Sequence, residues 1–123
     1  MSIILTDKGR RFGGFTNLPW ESPPSPTSKS NDPQAFIFSL DHKTRLTCHE
    51  QSQVIRCRRN YGVCFGGGYD IYIAQNLSSG SYSNFGHSYG KNEGITNQHY
   101  LTGNIENFYF TPSEVEVYQV IKL

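Results

Sequence analysis

With 123 residues and 11 Lys+Arg against 10 Asp+Glu, the chain has a formal net charge of +1, which argues against a nucleic-acid surface and against an acidic tail. No run of 18 apolar residues exists, so the sequence predicts no membrane insertion. Aromatic residues are plentiful (8 Tyr, 8 Phe, 1 Trp), Gly reaches 12, and no long stretch repeats apolar residues at helical spacing, so one sheet-rich domain over residues 1–123 is expected.

Residues 3–6 form a short apolar run that Asp7-Lys8-Gly9 ends as a turn. Residues 11–16 resume as a strand, where Gly13 and Gly14 allow a bulge or a close backbone contact, and the two pieces read as an opening hairpin. Residues 18–33 contain Pro19, Pro23, Pro24, Pro26 and Pro33, which remove backbone donors, so an irregular surface loop is predicted with only Trp20 pinned to the body. Next, Phe36, Phe38 and Leu40 alternate with Ala35, Ile37 and Ser39, apolar on both faces, as a central strand requires. Further strands are predicted over 44–48 and 53–57. The stretch Phe65-Gly66-Gly67-Gly68-Tyr69-Asp70-Ile71-Tyr72-Ile73-Ala74 runs three glycines into an alternating strand, with Ile71 and Ile73 opposite Asp70, Tyr72 and Ala74. Residues 75–94, rich in Asn, Ser and Gly, read as an exposed loop. A strand over 107–110 is predicted to turn Phe108 and Phe110 inward. The last strand, 114–121, would turn Val115 and Val117 inward and Glu116 to solvent.

A phosphate cradle needs its glycines to open a helix, whereas these open a β-branched, aromatic strand, so a close-packed turn is the expectation. Gly86-His87-Ser88-Tyr89-Gly90 spells a nucleophile elbow, and a serine hydrolase using Ser88 is one reading; the flanks supply neither the strand before it nor the helix after it. Cys48, His49, Cys57 and Cys64 are metal-binding residue types without the paired spacing of a structural zinc site, so buried free thiols and no metal are expected. An odd cysteine count and an N-terminus unlike a signal peptide predict a reducing, cytoplasmic setting, where the sequon Asn76-Leu77-Ser78 has no role. Arg56, Arg58 and Arg59, with Arg10 and Arg11, read as solvated charge. Tyr61, Tyr69, Tyr82, Tyr89 and Tyr100 sit in polar surroundings and offer faces on which a sugar or small ligand would stack, the alternative to a protein-binding role.

Taken in order, Phe12-Gly13-Gly14-Phe15-Thr16, Pro19-Trp20, Phe36-Ile37-Phe38-Ser39-Leu40, Phe65-Gly66-Gly67-Gly68-Tyr69-Asp70-Ile71-Tyr72-Ile73, Tyr82-Ser83-Asn84-Phe85-Gly86-His87-Ser88-Tyr89 and Val115-Glu116-Val117-Tyr118 resemble the TLDc family over nearly the whole chain. The wording of the glycine and Gly-His-Ser-Tyr segments is most similar to that of protist members. The resemblance implies a mainly β fold, a two-sheet antiparallel β-sandwich with a few short helices. It implies a non-catalytic domain, linked to protection against oxidative stress, that binds a protein partner: subunits of the cytosolic sector of the vacuolar proton pump. The residues it carries over as a binding site are Gly66, Gly67, Gly68, Asp70, His87, Ser88 and Glu116, with no catalytic residue, metal or cofactor. Family domains place a helical portion before the strand that matches residues 3–6. Without it, four or five large apolar side chains would lie uncovered, at about 1.5–3 kcal/mol each, a sum comparable with a typical net stability of roughly 5–15 kcal/mol.

Overall fold

The computed structural model describes residues 1–59, 61–77 and 79–120. Nine strands follow in chain order: β1 (Ser2–Thr6), β2 (Arg11–Phe15), β3 (Thr27–Lys29), β4 (Phe36–Ser39), β5 (Thr44–Thr47), β6 (Ile55–Cys57), β7 (Tyr61–Phe65), β8 (Ile71–Ala74) and β9 (Pro112–Val117). They form two antiparallel sheets, ordered β5-β4-β2-β1-β9 and β3-β6-β7-β8, the mainly β sandwich expected. Among the described residues there is no helix, so the short flanking helices are not seen there.

The core lies between the sheets. Ile4, Phe12, Ile37 and Leu46 face it from the first sheet, and Val54, Ile55, Phe65, Ile71 and Ile73 from the second. Burying each of these large apolar side chains contributes about 1.5–3 kcal/mol. Phe110 closes one end, its ring edge-on to Phe12 at 5.2 Å. The Gly13-Gly14 pair introduces no bulge, because β1 and β2 stay in register from Ser2↔Gly14 to Leu5↔Arg11. A Cβ on Gly14 would come within 2.6 Å of the Phe65 ring, so glycine there lets an aromatic from the opposite sheet lie against the strand.

Several elements depart from the sequence reading. The proline-rich segment contributes β3, which pairs with β6 from Thr27↔Cys57 to Lys29↔Ile55, and prolines at 23, 24 and 26 flank this edge strand without entering it. Residues 107–110 form no strand; the isolated bridge Tyr82↔Tyr109 joins them to the 81–83 stretch, which itself bridges β8 through Tyr72↔Tyr82, leaving Phe110 buried, Phe108 half-buried and Tyr109 exposed. The 75–94 segment is exposed at residues 75–77, 79–80 and 91–94, as a loop would be, but its middle is not: Ser81, Ser83, Ser88 and Tyr89 are fully buried and Phe85 nearly so. Their polar groups are satisfied internally, as Ser81 Oγ accepts from the Ala74 N–H at 2.9 Å and the Ser83 hydroxyl donates to the Asp70 carbonyl at 2.6 Å. Trp20 packs edge-on to Phe65 at 5.4 Å but stays 36% exposed. Val117 shares the core-facing row of Ser2, yet it is 61% exposed at the end of the edge strand β9, where it lines an open pocket with Trp20, Arg56 and Val63. Ile121 and Ser78 of the sequon lie outside the described residues, as does the Tyr61 side chain.

Candidate functional site

The β7–β8 connection and the 83–90 segment lock together around one carboxylate. After β7 the chain turns through Gly66-Gly67-Gly68-Tyr69, with φ of +83° at Gly66 and +60° at Tyr69, and delivers Asp70 into the interior with no exposed surface. A Cβ at Gly66 would sit 2.0 Å from Asp70 Oδ1, and one at Gly68 would sit 2.7 Å from His87 Cβ, so glycine is demanded by contact at both positions and by conformation at Gly66 as well. Asp70 then accepts the backbone N–H groups of Gly86 (3.2 Å), Ser88 (3.0 and 3.1 Å to its two oxygens) and Tyr89 (3.1 Å). Burial pushes its pKa up, and the N–H donors of Ser88, Tyr89 and Gly86, with His87 nearby, pull part of the way back.

Each neighbour is tied into the same knot. The Gly67 N–H donates to Ser88 Oγ at 3.0 Å, and Ser88 Oγ lies 3.1 Å from His87 Nδ1. Asn84 donates its side-chain amide to the Gly68 carbonyl (3.1 Å) and its backbone N–H to the Tyr69 carbonyl (2.9 Å). His49 straps the loop from outside. Its Nδ1 accepts the Lys91 N–H at 3.3 Å, which leaves the proton on Nε2 to donate to the His87 carbonyl at 3.0 Å. The Tyr89 hydroxyl donates to the Val54 carbonyl at 2.7 Å, and burial raises its pKa further.

The arrangement leaves the His87 ring exposed but keeps the Ser88 hydroxyl and the Asp70 carboxylate out of a substrate's reach. A serine nucleophile needs an accessible Oγ and a base oriented by an acid. Here Ser88 is fully buried, its oxygen occupied by the Gly67 N–H, and Asp70 holds backbone amides rather than the His87 ring. The flanks of the elbow are turns and an isolated bridge, as its composition implied. An anion cradle fails as well, because the Gly66 N–H serves the Val54 carbonyl and the Gly67 N–H serves Ser88. Among the described residues no group of three or more His, Cys, Asp or Glu is placed to hold a metal. Cys48, Cys57 and Cys64 are free and buried, and burial pushes the Cys48 and Cys64 thiols up.

Of the sequence-selected residues, Gly66, Gly67, Gly68, Asp70, His87 and Ser88 come together and Glu116 does not. Glu116 lies on β9 opposite Ile3, exposed, its carboxylate accepting from the Tyr118 hydroxyl. The tyrosines weighed as a stacking surface scatter: Tyr89 is core, and Tyr100 stacks on His42 at 4.2 Å with its hydroxyl on Thr44. Tyr69 and Tyr82 do meet, 5.9 Å apart, but tilted by 39° and packed with Tyr72 rather than coplanar. His49 and Asn84 escaped the sequence reading as members of the knot; the adjacency of His49 to Cys48 drew attention only to metal chemistry.

Compared with family models, residues 1–121 match the model described as TLDc domain. The chain belongs to the TLDc family. No curated protein and no solved structure matches it. The TLDc match covers both halves of the knot, the glycine turn and the 83–90 segment, together with β9 and its Glu116.

Proposed function

We propose that this TLDc domain is a non-catalytic protein-interaction module whose partner is the cytosolic sector of the vacuolar proton pump, and that it protects cytoplasm from oxidative stress by regulating that pump. The observation that carries the reading is the consumption of the site's acid and hydroxyl in internal bonds: Asp70 on three backbone amides and Ser88 under the glycine turn. A site so spent builds a rigid shape, which suits recognition and does not suit turnover. The buried thiols support the same reading, because thiolate, not thiol, reacts with oxidants, and burial disfavours the thiolate of Cys48 and Cys64. Protection then runs through a partner and not through scavenging. The test is a native pull-down with the purified chain from cytosolic extract of its own source, after circular dichroism establishes that the chain is folded. Recovery of pump subunits is expected, and a folded chain that recovers none overturns the proposal.

A further inference from the structure

The outward face of the five-stranded sheet is apolar along its middle and oppositely charged along its two edges. The strand registers align one row across all five strands, Glu116–Ile3–Gly13–Phe38–Arg45. One step along the strands, Glu114 pairs with Leu5 and Leu5 with Arg11, Arg11 bonds to Leu40 through its carbonyl, and Lys43 follows in the adjoining turn. Ile3, Leu5, Phe36 and Phe38 are only half-buried and Leu40 is 43% exposed, around a shallow depression of about 370 Å³. An apolar surface of this kind, rimmed by charge, marks an interaction face. The Arg45 guanidinium sits 4.0 Å over the Phe36 ring with no ion-pair partner among the described residues, and neither Glu114 nor Glu116 has one either.

The geometry points to a second copy of this chain as the occupant. The strand order β5-β4-β2-β1-β9 puts β2 in the middle, so a two-fold axis running along β2 exchanges the two edges. Glu116 of each copy then faces Arg45 of the other, Glu114 faces Lys43, and Ile3 meets Phe38. Gly13 lies on the axis; having no side chain, it leaves room for the Phe38 ring, to which a Cβ there would come within 2.8 Å, and face-packed sheets sit about 10 Å apart. Arg11 also lies near the axis, but it is held aside by Asp41, whose carboxylate takes its backbone N–H at 2.7 Å and its guanidinium at 3.3 and 3.4 Å. A partner bearing one sign of charge would satisfy one edge and repel the other, whereas the domain's own face is complementary to itself. Five strands about 4.8 Å apart and about five residues long at 3.3 Å make a face of roughly 20 by 17 Å, the size of a weak, concentration-dependent pairing.

The experiment is sedimentation equilibrium of the purified chain over a wide concentration range, beside Glu116→Arg and Arg45→Glu, with circular dichroism checking that both variants fold. The parent is expected to shift with concentration from the 13.9 kDa of one chain to twice that mass. Each reversal puts two like-charged pairs into the interface and raises its dissociation constant about 100-fold, so each variant alone runs as monomer. Mixing the two variants restores opposite charges at both edges and brings back the dimer mass. If a variant does not fold, Glu114→Lys and Lys43→Glu replace that pair on the neighbouring row. A parent that stays monomeric at all concentrations, variants that dimerise undiminished, or a mixture that stays monomeric each overturns the pairing.

Discussion

Gly9 and Gly66 have the same backbone conformation, φ of +84° and +83°, and differ in what a side chain would meet there. Nothing lies within 4 Å of a Cβ on Gly9, while one on Gly66 would fall 2.0 Å from Asp70 Oδ1. Gly9→Ala therefore costs the backbone strain alone, about 1–2 kcal/mol. Gly66→Ala adds the displacement of Asp70, and giving up even one of its bonds to Gly86, Ser88 or Tyr89 costs about 1.5–3 kcal/mol more, for a total of about 2.5–5 kcal/mol. Denaturant unfolding measures both. The single tryptophan, Trp20, packs against Phe65 at the base of the turn, so its fluorescence follows release of the knot, and midpoint shifts at constant slope convert directly to free energy. Equal losses in the two alanine variants would refute the role given to Asp70.

Three further outcomes are expected. Asp32 is buried; desolvation raises its pKa, but hydrogen bonds from Thr16, Asn17 and Gln34 outweigh it and hold the carboxyl below its usual value of 3.8. A lowered folded pKa contributes stability above the unfolded value and loses it as pH falls through the folded one, so Asp32→Asn flattens the loss of thermal midpoint between about pH 5 and pH 2. A parent and variant that decline in parallel would dismiss this. The three cysteines stay unmodified by a thiol reagent at neutral pH until denaturant is added; rapid labelling of the folded chain would show that burial does not protect them. Ser88→Ala removes the partner of the half-buried Gly67 N–H and costs about 0.5–1.5 kcal/mol in denaturant unfolding, while leaving ester turnover by the preparation unchanged; a lost turnover would return Ser88 to the status of nucleophile.

The sequence made the strands legible wherever apolar residues alternate, and the order of six short motifs made the family legible. The site was legible in half. Gly66-Gly67-Gly68 and Asp70 announce a turn that only small residues can make, and Gly86-His87-Ser88 stands out beside Tyr89. What alternation does not reveal is that these two stretches close on each other, because the joining bonds run from backbone amides, which every residue carries, to Asp70. The 75–94 segment was misread for a related reason. Its serines are polar by composition but spend their hydroxyls on neighbouring main chain, as Ser81 and Ser83 do, and so cross into the interior without loss. Val117 shows the opposite failure: the alternation gave its side correctly, but it ends an edge strand and is left facing an open pocket.

The pairing of β1 with β9 has a consequence for how the domain is made. Ser2 is in register with Val117, so β1 waits until β9 has been synthesised before its second edge is filled. Until then β1 is an open edge carrying Ile3 and Leu5, the kind of surface on which nascent chains join edge to edge. Contacts closed over such a span also slow the final step, because the entropy of the whole intervening chain is lost before the last sheet contacts repay it. Synthesis of this domain therefore passes through a late interval with the β1 edge open, which ends when β9 arrives.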